Sequence, residues 1–118
     1  MSIRGAHRRI LDEVSSWDQV TVGSHRFGGM EFRLGKRELG HIHGDSLVDI
    51  PFPKPVRDEI VSAGEAEPHH ILPETGWVSI FLRSNDDVER AIRLLRRSFS
   101  HAVEHRRRLA GRARAEAG

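Results

Sequence analysis

The sequence predicts an α+β domain: an antiparallel sheet with helices from both ends of the chain packed on it. Apolar residues recur at helical spacing near each terminus, while the segments between them alternate apolar and polar residues and are joined by turn-forming pairs. Size is the third observation, since 118 residues with no internal repeat or linker fit one core. The expected order is α-β-β-β-β-α-β-β-α. Residues 1–103 are read as the domain and residues 104–118 as an Arg-rich tail.

Ile3, Ala6, Ile10 and Val14 place a first amphipathic helix over residues 2–15. Residues 19–23 read as a short strand, and Met30 to Leu34 alternates cleanly enough for a second. Gly35-Lys36 suits a two-residue hairpin turn into a third strand, Arg37 to His43. If Leu34 pairs with Arg37, then Arg33 faces Glu38, Phe32 faces Leu39, Met30 faces His41 and Gly28 faces His43. That register puts His41 and His43 on the apolar face with Met30, Phe32 and Leu39.

Ser46 to Ile50 reads as a fourth strand. Pro51, Pro53 and Pro55 argue against regular structure until about Val56, where a short helix leads to a stop at Gly64. Residues 66–72 suit an edge strand, because Pro68 would break a central ladder. Trp77 to Arg83 is the clearest strand, with Val78, Ile80 and Leu82 on one face and Trp77, Ser79 and Phe81 on the other. Ser84-x-x-Asp87 is a capping-box pattern that opens the last helix. Its stripe runs through Val88, Ile92, Leu95 and Phe99 and fades past Val103, beyond which the helix is expected to fray.

Composition removes several classes of function. The chain has no cysteine, which excludes disulfides, thiolate metal sites and a cysteine nucleophile. No apolar run reaches the ~20 residues of a membrane span and the N-terminus lacks a leader-like stretch, so a cytoplasmic protein is expected. Residues 101–118 hold five arginines against two glutamates, while the rest of the chain is nearly neutral. The basic excess is a tail, so nucleic acid is not the expected partner.

Eight histidines in so small a chain need a physical account. His7, His25, His101 and His105 fall at ends or exposed positions. His41 and His43, at i and i+2 on one strand, project to one side, and His69-His70 lie near Trp77. A buried ring nitrogen without a partner costs about 1–3 kcal/mol, a large share of a total stability of about 5–15 kcal/mol. A polar pocket lined by His41, His43 and one of His69 or His70 relieves that cost. Imidazole also titrates near neutrality and suits proton transfer. Asp45 and Asp49 follow the pair closely, and either could orient a ring.

Known motifs match only in part. Gly35-x5-His41-x-His43 opens like a cupin metal motif, but no carboxylate stands at Leu47 or Val48 and the strands are too few for a jelly roll. His101-Ala-Val-Glu104-His105 has the inverted zinc-peptidase spacing without a third ligand. A metal site from His41, His43 and His70 is chemically open, since imidazole suits zinc, copper or iron. Only the spacing supports it, and no metal or other cofactor is expected. No phosphate-binding Gly loop or nucleophile elbow is present.

Lys36-Arg37-Glu38-Leu39-Gly40-His41-Ile42-His43, Pro68-His69-His70, Gly76-Trp77-Val78 and the closing helix to Ser98-Phe99 together resemble the luciferase-domain family. Its named representative is the luciferase of fungal bioluminescence. The resemblance implies oxidation of an electron-rich hydroxypyrone-type compound by dioxygen, without flavin or nicotinamide. It also implies roles: His41 or His43 as base, His70 holding oxyanion charge, and Trp77 stacking on a flat ring. Met30, Phe32, Asp45 and Asp49 complete the expected substrate-binding set. The order of elements is also similar to frataxin-like and double-wing α+β sandwiches, a likeness of fold alone. The competing expectation is a non-enzymatic module that contacts protein or nucleic acid through its helix face and basic tail.

Overall fold

The computed structural model describes residues 2–25 and 28–117. The elements follow the expected order: α1 (Ala6–Ser15), β1 (Val20–Ser24), β2 (Met30–Leu34), β3 (Arg37–His43), β4 (Leu47–Pro51), α2 (Lys54–Ser62), β5 (Glu67–Pro68), β6 (Trp77–Phe81) and α3 (Asn85–Ala117). The strands form one antiparallel sheet in the order β1-β2-β3-β4-β6-β5. After β4 the chain crosses through α2 to the far edge, and β6 then fills the gap.

Several boundaries differ from the sequence reading for local reasons. α1 starts at Ala6 because Gly5 takes a left-handed φ of 83°. Its first turn is capped from a distance: the His7 N–H donates to Asp45 Oδ1 at 2.8 Å. α2 begins inside the proline run, at Lys54, because Pro55 lies in its first turn, where a missing N–H costs nothing. It stops where predicted. Gly64, at φ 74°, donates to the Val61 carbonyl while the Glu65 N–H reaches the Ile60 carbonyl, the paired bonds of a Schellman motif. β5 keeps only two residues of the predicted edge strand, and residues 69–72 leave the sheet.

α3 opens with the Asp87 N–H donating to Ser84 Oγ at 3.2 Å, and the Asp87 carboxylate accepts the Arg83 N–H at 2.8 Å. The helix does not fray at Val103. It runs 33 residues to Ala117, because its Arg, Ala, Glu and Leu residues are strong helix formers. From Glu104 onward nearly every residue is exposed, so this end stands away from the body and draws the long axis to 55 Å.

All three helices cover one face of the sheet. Ala6, Ile10 and Val14 of α1 and Val88, Ala91, Leu95 and Ala102 of α3 are buried against each other and the sheet. α2 joins them through Arg97 to Glu59, and the turn after it through Arg90 to the Glu65 carbonyl. Phe32, Ile42, Val48, Ile50, Val78 and Ile80 supply the sheet side of this core, each at most 2% exposed.

The β2–β3 register holds for two pairs and then slips. Leu34 pairs with Arg37 and Arg33 with Glu38, as predicted, but Phe32 pairs with Gly40, Glu31 with His41 and Met30 with Ile42. A bulge absorbs Leu39. Because side chains alternate, one extra residue moves everything after it to the other face. His41 and His43 therefore stand opposite Met30 and Phe32, on the face without helices. Gly40 makes this possible on the covered side: a Cβ there would meet Leu95 Cδ2 at 2.7 Å and the Asp49 carbonyl at 2.9 Å.

Candidate functional site

The helix-free face carries a row of polar residues at the sheet centre. His41 pairs across strands with Asp49, and Asp49 with Ser79, so all three point the same way. Asp49 and Ser79 are fully buried. The Ser79 hydroxyl donates to Asp49 Oδ1 at 2.6 Å. The other carboxylate oxygen, Oδ2, is surrounded by imidazoles: His41 Nε2 at 3.1 Å, His70 Nε2 at 3.2 Å, and His43 and His69 Nε2 each at 3.5 Å.

The network assigns the protons on two of these rings. His69 Nδ1 accepts the N–H groups of Ile71 at 3.1 Å and Leu72 at 3.0 Å, so its proton lies on Nε2, towards Asp49. His41 faces carboxylates through both nitrogens, with Nδ1 2.7 Å from Glu38 Oε2, and donates from both as an imidazolium. Burial alone would lower its pKa, but the hydrogen bonds to Asp49 and Glu38 outweigh burial and raise it to about 9. Burial would raise Asp49, yet the hydrogen bonds from His41 and Ser79 bring it down to about 2. His43 is held below the ordinary histidine range by burial and then by the neighbouring His41 charge. At His69 burial also lowers the pKa and outweighs the pull of Asp49.

These residues border a cavity of about 550 Å³. Its floor is Asp49 with His41, and its walls are His43, His69, His70, His25 and Trp77. Ile71 and Leu72, from the segment that leaves the sheet, form an apolar edge and are 71% and 47% exposed. His25 stacks on His41 with ring centres 4.1 Å apart, and Trp77 lies tilted to His41 at 5.2 Å.

The structure brings together His41, His43, His70, Trp77 and Asp49 from the sequence-derived set. It separates the other three. Met30 and Phe32 point into the helix-covered core because of the Leu39 bulge, and Asp45 caps α1. Glu38 faces Arg33 across the strands as expected, but its carboxylate reaches His41, while the Arg33 guanidinium pairs with Glu31. Sequence reasoning missed His25, which follows β1 and had no visible tie to the strand histidines. Every other residue that lines the cavity lies far from it in sequence, so only tertiary structure reveals it. His101 packs edge-on against Phe52 and is not in open water.

Three groups of side chains have ligand atoms close enough to share a metal ion: His41, His43 and Asp49; Asp49, His69 and His70; and His25, Glu38 and His41. The sequence-derived trio of His41, His43 and His70 is not among them. Among the described residues no helix is long and apolar enough to cross a membrane. Residues 36–98, more than half of the chain, match the family model for the luciferase domain. Neither the curated proteins nor the solved structures contain a match.

Proposed function

The chain belongs to the luciferase-domain family, and on that footing we propose that its cavity binds a flat, acidic aromatic molecule and takes a proton from it. One observation carries this reading: an indole, an apolar edge and a ring of imidazoles around one buried carboxylate share a single cavity of about 550 Å³. A flat ring with an enolic hydroxyl needs a stacking surface, a proton acceptor and positive charge to hold the anion that forms. Trp77 offers the first and the His41 imidazolium the third.

His70 is the best-placed acceptor. Its Nε2 lies 3.2 Å from Asp49, which holds the proton on that nitrogen and leaves the Nδ1 lone pair free. The base role that the family resemblance implies for His41 or His43 moves to His70, because both nitrogens of His41 are already donating and His43 Nε2 stands farther from Asp49, at 3.5 Å. An enolate formed here is electron-rich, the state from which such rings give electrons to dioxygen. That step is the oxygenase-like part of the proposal.

The test is titration of a hydroxypyrone into the Trp17→Phe protein, which leaves Trp77 as the only fluorophore. Saturable quenching that is weakened at least tenfold in His70→Gln supports the reading. Quenching that is absent, or indifferent to His70→Gln, overturns it. A second reading rests on the exposed arginines of the α3 end, which would contact an acidic partner such as nucleic acid. DNA binding that falls steeply with salt and vanishes on removal of residues 104–118 would favour it.

A further inference from the structure

We propose that His41, His43 and Asp49 bind one divalent transition-metal ion, with Glu38 as a positioning residue. The three ligands stand on rigid, adjacent strands. His41 and His43 are two apart on β3, and Asp49 is the cross-strand partner of His41 on β4, so all project to the same face. Their ligand atoms lie within 4.8 Å of one another. With metal–ligand bonds of about 2.0–2.1 Å, neighbouring ligand atoms in a tetrahedral or octahedral shell stand roughly 2.9–3.4 Å apart. His41 Nε2 and His43 Nε2 are 3.1 and 3.5 Å from Asp49 Oδ2. The first distance falls within that range and the second just beyond it.

Support around the ligands is already built. Glu38 holds His41 Nδ1–H at 2.7 Å, which aims Nε2 inward, and Ser79 holds the far oxygen of Asp49 at 2.6 Å. An ion takes the place of the proton on His41 Nε2 and disturbs neither support. It also accounts for a surplus: four Nε2 atoms lie within 3.5 Å of one carboxylate oxygen that has two lone pairs. Two imidazoles and one carboxylate on one side of an ion leave its remaining positions open to the cavity, a donor set suited to iron(II), zinc or cobalt.

The two competing groups fit less well. His69 cannot ligate through Nε2, because its Nδ1 accepts two backbone N–H groups and its proton stays on Nε2. Glu38 and His41 Nδ1, at 2.7 Å, are at hydrogen-bond distance, closer than neighbours in such a shell. The inference shares the cavity of the proposed function and gives the enolate a partner there. The ion itself does not depend on that reading.

The experiment titrates the chelator-stripped full chain with Co²⁺ and Zn²⁺ alone, by calorimetry and cobalt visible absorption. One ion per chain is expected, weakened at least 100-fold in His43→Asn and Asp49→Asn and about 10–100-fold in Glu38→Gln. The double variant His101→Gln/His105→Gln, which removes the paired histidines of α3, should change affinity less than threefold. His43 is 30% exposed, so its variant should fold, and circular dichroism verifies this. No stoichiometric binding, binding kept in His43→Asn, or binding lost in the double variant overturns the proposal. Hydroxypyrone quenching of Trp77 is measured separately on stripped protein. Ion binding without quenching leaves this inference standing and ends the ligand reading, and quenching without ion binding does the reverse.

Discussion

Asp49→Asn probes the centre of the cluster with the least change of shape. The carboxylate is fully buried, and its oxygens divide the work: Oδ1 accepts from Ser79 at 2.6 Å, Oδ2 from His41 at 3.1 Å and His70 at 3.2 Å. An asparagine keeps an oxygen for Ser79 and puts an NH₂ where Oδ2 was, facing nitrogens that themselves donate. The charge-assisted bond from the His41 imidazolium contributes about 1.5–3 kcal/mol, and the His70 bond about 0.5–1.5 kcal/mol. His41 keeps Glu38, so the charge is not left wholly unpaired. The expected loss is about 3 kcal/mol, heavy against a total of about 5–15 kcal/mol but survivable. Asp49→Ala would also strand the Ser79 hydroxyl and cost about 1–3 kcal/mol more. The assay is urea unfolding with chelator present near neutral pH, followed by circular dichroism. A double-mutant cycle of Asp49→Ala with Ser79→Ala should show coupling of about 1 kcal/mol or more. If Asp49→Asn is as stable as the parent, or more stable, the carboxylate does not hold the imidazoles together and the reasoning fails.

Four further outcomes follow from the geometry. A Cβ on Gly76 would lie 2.0 Å from the Phe52 carbonyl, and neither backbone can retreat without losing the Phe52 N–H bond to Gly76, so Gly76→Ala should cost at least about 3 kcal/mol in thermal unfolding. Gly23→Ala, with nothing within 4 Å, should be nearly neutral. At Asp87 burial would raise the carboxyl pKa, but the hydrogen bonds from Arg83, Arg90 and Ser84 hold it below the ordinary range. Its contribution is thus complete above the unfolded value of about 3.9 and is lost as pH falls through the lower folded value. Asp87→Asn should cost about 1 kcal/mol near neutral pH and progressively less in acid; a urea-midpoint difference that persists at the lowest pH would contradict this. Removing residues 108–117, which lie beyond the Arg106 contact with Gln19, should leave stability within about 0.5 kcal/mol, whereas a loss above about 2 kcal/mol would show that the helix end packs on the body.

Element types and their order were legible because periodicity is local information. The histidine cluster was legible in membership but not in placement. Alternation from Leu34 to Gly28 and from Arg37 to His43 predicts an unbroken hairpin, and nothing in Leu39 itself announces a bulge. The available signal was Gly40, since a glycine inside a strand often marks a bulge or a close approach, and here it marks both. Missing it put His41 and His43 among the aliphatics and Met30 and Phe32 in the site. Asp49 was legible as a carboxylate able to orient a ring, and the β3–β4 pairing sets it directly beside His41. His25 and the length of α3 escaped for a different reason. One depends on how a loop folds over β3, and the other on helix propensity continuing after the apolar stripe has ended.

The extra residue at Leu39 makes the length of this segment as consequential as its chemistry. Removing Leu39 while keeping the turn would heal the bulge and leave Gly40, His41 and Ile42 paired with Phe32, Glu31 and Met30, so both imidazoles would keep their face. Pulling Leu39 into the ladder beside Phe32 would instead drive the imidazoles in among Val48 and Ile80 and turn Ile42 out to water. Related chains can therefore exchange side chains along β3 one at a time, but a codon gained or lost between the Gly35-Lys36 turn and His41 must be matched by a bulge made or healed.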